Sequence, residues 1–106
     1  QRESPVSILF ILSMGFADLY RAAVAKRAGI PTAQAQKELG YFGGSAFRYQ
    51  RALENQRRFS LDTLGAVVTL LAEEDIHLKE TGVDAVTELE TVITRIFMVL
   101  DREGKR

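Results

Sequence analysis

Apolar residues recur at helical spacing along nearly the whole chain. Leu9, Leu12, Phe16, Leu19, Tyr20 and Ala23 fall on one stripe with a 3.6-residue period. Ser4-Pro5 ahead of them reads as an N-cap and first-turn proline, and Lys26, Arg27 and Gly29 as a cationic last turn followed by a stop. Pro31-Thr32 opens a short second helix ended by Gly40, and a loop through Ser45 leads into a third. Ser60 and Asp62 start a fourth, with Phe59 and Leu64 placed as a hydrophobic staple and Leu61, Leu64, Val68, Leu71 and Leu78 as its stripe. Lys79 to Gly82 is a stop signal. Asp84 caps a fifth helix with the stripe Leu89, Ile93, Ile96 and Leu100. No stretch alternates with period two, so no sheet is expected. The expected fold is all-α, a five-helix bundle-like domain with helices near 5–28, 32–39, 45–58, 60–80 and 84–101 and a polar tail from Asp101 that frays.

The first helix carries more apolar surface than one stripe needs. Phe10, Ile11 and Met14 project away from Leu9, Leu12 and Phe16, and a helix that is apolar all round is buried all round. One small domain rarely covers both faces of its terminal helix. Phe10, Ile11 and Met14 are therefore expected at an interface with another domain or subunit. A membrane is not expected as the partner: only 14 residues separate Glu3 from Asp18, short of the roughly 20 needed to span one.

With 106 residues, 46% of them hydrophobic, the chain can form one globular domain with its own core. It has no cysteine, which excludes disulfides and thiolate ligands and fits a reducing cytoplasm. His77 is the only histidine, so no two-histidine metal site can form. No phosphate loop, HExxH or Gly-x-Ser-x-Gly motif occurs. Neither a catalytic residue nor a cofactor is expected. The chain begins at Gln1 rather than Met, and a single helical domain over 1–106, cut from a longer protein, is the expected organisation.

The formal net charge of zero conceals an asymmetry. Residues 21–58 hold eight basic and two acidic side chains, net +6, whereas residues 62–90 hold eight acidic and one basic, net −7. Packing of basic against acidic helices would account for it, as would charged partners. On the third helix Arg48, Arg51 and Arg58 share an arc of about 80° at about 100° per residue, a basic face that suits DNA phosphates or an acidic protein surface. On the fourth, Asp75 falls at about 320° from Leu61, inside an apolar stripe that runs from about 260° to 340°. Asp75 is expected to be a buried carboxylate clamped by Lys79 or Arg57, or by an open helix N-terminus, because an unpaired buried charge is costly. Thr32 to Gly40 followed by a basic helix also invites a helix-turn-helix reading, a DNA-binding module, although five residues separate Gly40 from Ala46.

Two runs carry a resemblance. Ala46-Phe47-Arg48-Tyr49 continues to Gln56-Arg57-Arg58-Phe59-Ser60-Leu61, and Leu70-Leu71-Ala72-Glu73-Glu74-Asp75-Ile76-His77-Leu78-Lys79 is followed by Gly82. Together they resemble the C-terminal domain of the delta subunit of bacterial DNA polymerase III, over about residues 5–100 and most specifically from Arg57 to Lys79. Ser45-Ala46-Phe47 stands where that family often has His-Pro-Phe, the loop Tyr41 to Gly44 is longer than usual, and Glu80 is an insertion. The resemblance implies an all-helical collar domain of the clamp loader, non-catalytic, cytoplasmic and acting in DNA replication. Its partners would be the other loader subunits. Contact with the sliding clamp would belong to N-terminal AAA+-type domains outside this chain, and contact with DNA would be weak and non-specific. No membrane is implied. A collar helix needs a neighbour on its outer face, which is what Phe10, Ile11 and Met14 call for.

Overall fold

The structure, a computed structural model, describes residues 4–80 and 82–104. Five α-helices follow one another: α1 (Pro5–Arg27), α2 (Thr32–Leu39), α3 (Ser45–Asn55), α4 (Leu61–His77) and α5 (Ala85–Gly104), with one 3₁₀ turn, Gln56–Arg58, between α3 and α4. No strand occurs among the described residues.

The helix starts and stops follow local chemistry. The Ser4 hydroxyl accepts the Ser7 N–H at 3.1 Å, with Pro5 in the first turn. Ser60 does the same for Thr63 at 3.1 Å. Asp84 accepts from the Val86 N–H and the Thr87 hydroxyl at 3.3 and 2.7 Å. α1 ends in a Schellman motif, with Gly29 at φ 75° while Ile30 N–H donates to Ala25 C=O and Gly29 N–H to Lys26 C=O, both at 3.0 Å. Gly40, at φ 82°, closes α2 in the same left-handed conformation.

Three boundaries differ from expectation by three residues, one of them the end of the fourth helix, at His77 rather than 80. The third helix stops at Asn55 rather than 58, and the chain tightens into the 3₁₀ turn before Phe59 extends at φ −132°, ψ 149°. Phe59 then meets Phe16 edge-on, with ring centroids 6.5 Å apart. The fifth helix does not fray from Asp101 but continues to Gly104. A carboxylate oxygen of Glu103 accepts the Ser60 N–H, so the last turn of α5 is tied to the first turn of α4. The end of the tail, 105–106, lies outside the described residues, as does Thr81 of the stop signal.

α1 is the spine, packing along α4 and α3, while α5 packs chiefly on α4. Two cores form on it. Leu9 of α1 joins Val67 and Leu71 of α4 and Val92 and Ile96 of α5. Further along, Ala22 and Ala25 join Ala35, Tyr41, Tyr49 and Ala52. Small residues in the second half of α1 let the Tyr41 and Tyr49 rings, 5.1 Å apart, fill that core.

α1 is long and apolar enough to cross a membrane, with a mean hydropathy of 1.6 over an 18-residue window. It packs against four other segments along one side, and it carries the buried, ion-paired Asp18 within its length, where a charge facing lipid would be costly.

Candidate subunit interface

Three features of the surface bear on function: an apolar ridge on α1, a basic patch around α3 and the 3₁₀ turn, and an acidic cluster where α4 meets α5. The ridge is formed by Val6, Phe10 and Ile11, exposed at 59%, 65% and 53%, with Met14 half-buried beside them. Two grooves flank it. One, of about 390 Å³, runs between α1 and α4 along Leu9, Phe10, Ser13, Val68, Ala72 and Asp75. The other, of about 470 Å³, runs between α1 and α3 along Ile11, Gly15, Phe16, Phe47, Arg51 and Asn55. Both are lined mainly by carbon, and Phe47 stands 64% exposed at the rim of the second. The two-faced character of α1 is thus real: its inner stripe makes the core and its outer residues are left open.

The basic face is rearranged relative to the helical count. Arg48 does not stand free, because its guanidinium forks onto Asp18, Nε to Oδ2 and Nη2 to Oδ1, both at 3.0 Å. Asp18 is buried and also accepts the Tyr41 hydroxyl at 2.5 Å. Arg21 approaches the same carboxylate at 3.6 Å and donates to the Tyr41 oxygen at 3.2 Å. Burial alone would raise the Asp18 pKa; the Arg48 fork, the Tyr41 hydroxyl and the charge of Arg21 outweigh it and hold the carboxyl below its ordinary value. This clamp fixes α1, the loop after α2 and α3 to one another. Arg51 lies over the Phe47 ring, 5.5 Å from its centroid. Arg58 is exposed but lies on the 3₁₀ turn, where 100° per residue no longer applies, so the arc of three arginines is not a single helix face. A different basic corner exists that the sequence reading missed: Lys26 and Arg27 at the end of α1 meet Arg57 across a cleft of about 240 Å³.

Asp75 is not a buried clamp. Its side chain is 61% exposed and pairs with Lys79, itself 75% exposed, at 3.2 Å along the helix. Arg57 is exposed as well. The reason is the direction of the core: Leu64, Val67 and Leu71 are the buried apolar residues of α4, centred near 270° on the same wheel. Asp75 and Val68 therefore sit on the shoulder, facing the α1–α4 groove.

The buried acid of α4 is Glu74, with 7% exposure. One of its carboxyl oxygens has no hydrogen-bond partner among the described residues. Burial, then the hydrogen bond to Glu88 and the charge of that residue, push its pKa up against the pull of His77 and Arg95. His77 lies 2.7 Å from Glu80 through Nδ1 and 3.3 Å from Glu88 through Nε2. Partial desolvation would lower its pKa, but Glu88, Glu80 and Glu74 together raise it. No group of side chains among the described residues could hold a metal ion.

The geometry does not suit a groove-reading helix-turn-helix. The α2–α3 turn spans 40–44, longer than the three or four residues of that motif, and Arg48 of the second helix is committed to Asp18. The family model described as DNA polymerase III delta subunit, C-terminal domain, matches residues 1–96. The chain belongs to this family. Neither a curated protein nor a solved structure matches it. As a delta C-terminal domain the chain is part of the DNA replication machinery, and its helical fold with an uncovered apolar ridge is the architecture in which the resembling runs, Ala46 to Leu61 and Leu70 to Gly82, are embedded. The first run supplies α3, the 3₁₀ turn and the cap of α4; the second supplies the end of α4 and the turn at Leu78 and Lys79 that follows it.

Proposed function

We propose that this delta C-terminal domain is a collar: a non-catalytic oligomerisation domain that joins the other clamp-loader subunits, so that the full chain can open and load the sliding clamp through domains N-terminal to this one. The reading is supported above all by the α1 ridge, where Phe10 and Ile11 lie exposed between two apolar grooves. An apolar surface of this kind is stable in water only at a cost that a partner removes. The domain acts in the cytoplasm, and its contact with DNA is with phosphates, through the basic corner of Lys26, Arg27 and Arg57, without reading bases.

The test is assembly of the full chain with the remaining loader subunits. Replacing Phe10 and Ile11 together by Glu is expected to leave the circular dichroism unchanged, because both side chains are already in water, and to abolish co-purification with the complex. A double variant that assembles like the parent would refute the reading. One that unfolds would place the ridge in the internal core instead.

A further inference from the structure

We propose that the α1–α3 groove receives a helix of a neighbouring loader subunit, which crosses α1 at Gly15 and sets a carboxylate against Arg51. The proposal rests on the collar reading and adds the chemistry of the neighbour. Glycine in the middle of a helix is destabilising relative to alanine. At Gly15 nothing in the fold asks for it: a Cβ built there would have no heavy atom within 4 Å, and its φ is not positive. Gly65, the glycine inside α4, differs, since its Cβ would touch the Tyr20 ring at 3.5 Å. An outside backbone approaching α1 closely supplies the reason the fold itself lacks, because the separation of two packed helices is set by the side chains at the crossing.

The groove fits such a guest. α1 lines it with Ile11, Gly15 and Phe16, α3 lines it with Phe47, Arg51 and Asn55, and no side chain stands over Gly15. Arg51 defines the charge of the occupant. It is stacked on Phe47, and among the described residues no carboxylate pairs with it, in contrast to Arg48. A guanidinium held against a ring beside an apolar groove is oriented in advance for a carboxylate. Of the charged residues that line the groove, Asp18 and Arg48 neutralise each other, so Arg51 leaves it cationic and favours an acidic partner face over a basic one.

These 106 residues hold no cysteine, so a thiol introduced here marks one site of the domain, and its labelling is read by mass spectrometry on the peptide that carries it. Asn55→Cys lines the groove and Gln34→Cys lies on exposed α2, away from it. In the full chain assembled with the other loader subunits, maleimide labelling of Asn55→Cys is expected to slow at least tenfold, and that of Gln34→Cys to stay unchanged. Gly15→Ala is expected to raise the melting temperature of the full chain by about 2–8 °C and to weaken assembly at least fivefold. Arg51→Ala is expected to weaken assembly about tenfold and to reduce its salt dependence. Assembly with Asn55→Cys labelled at its free rate would overturn the groove proposal while leaving the collar reading in place. Failure of the parent chain to assemble would overturn both. Protection of Asn55→Cys by duplex DNA alone would overturn the choice of a protein helix as the occupant.

Discussion

Asp18 and Asp75 share a chemistry and differ in where the fold puts them. Asp18 is buried and takes four polar contacts from Tyr41, Arg48 and Arg21; Asp75 is mostly in water beside one lysine. Asp18→Asn is expected to destabilise the domain by about 2–3 kcal/mol, the cost of breaking charge-assisted hydrogen bonds to a buried group whose partner Arg48 is partly solvated. Asp75→Asn is expected to stay within about 0.5 kcal/mol, as exposed pairs along a helix do. Urea unfolding at neutral pH checks both. The sign of the pH dependence follows from the lowered pKa of Asp18. The clamp contributes its full stability above the ordinary value of 3.8 and loses it as pH falls through the lower folded value. Asp18→Asn should remove that acid limb. A parent and an Asp18→Asn variant with the same acid unfolding profile would show that the clamp carries no linkage.

At the scale of elements, the junction of α4 and α5 titrates in the opposite sense. Glu74 and His77 both have raised pKa values. A raised histidine pKa stabilises the fold fully below 6.5 and no longer once pH has passed the folded value. A raised carboxyl pKa stabilises relative to the ionised form below 4.5 and is likewise lost as pH rises. Both groups therefore make the junction firmer at mildly acidic pH than at pH about 8. Amide exchange over residues 85–92, corrected for its intrinsic pH dependence, is expected to show greater protection at pH about 5.5 than at pH about 8. Glu74→Gln, which keeps the shape and removes the charge beside Glu88, is expected to flatten most of the difference. Equal protection at the two pH values would show that the Glu74–Glu88–His77 cluster does not couple to the helix pair.

For the whole molecule, the charge asymmetry is only partly used inside the fold. Arg48 and Arg21 are tied to Asp18, while Lys26, Arg27 and Arg57 stand around one open cleft. Phosphate contacts made there would be sequence-independent and salt-dependent. Replacing all three by Gln in the full chain is expected to weaken DNA binding equally on unrelated duplexes and to flatten the salt slope by up to about three, roughly one per lost contact. Loss confined to one base position would point instead to base readout.

Helix number, helix order and most boundaries were legible in the chain itself, because caps, glycine stops and the 3.6-residue stripe act within a few residues of one another. Ser4, Gly29, Gly40, Ser60 and Asp84 each do what their local chemistry dictates. The excess apolar surface of α1 was legible for the same reason: Phe10 and Ile11 do not fit on the stripe of Leu9, and they lie exposed. What a periodicity count cannot supply is the direction from which neighbours approach a helix. It places Asp75 in the core because Val68 and Leu78 widen the apolar stripe of α4 on the wheel, whereas α1 and α5 cover only the side of Val67 and Leu71. It assigned Arg48 to a free basic face because the acid that binds it, Asp18, lies 30 residues away, and it passed over Glu74, whose partner Glu88 sits on the next helix. The end of α5 depends in the same way on Glu103 reaching Ser60 across 43 residues. Local capping and spacing energies are written in short segments, but pairing of charges and choice of the buried face depend on contacts between helices, and those exist only once the chain has packed.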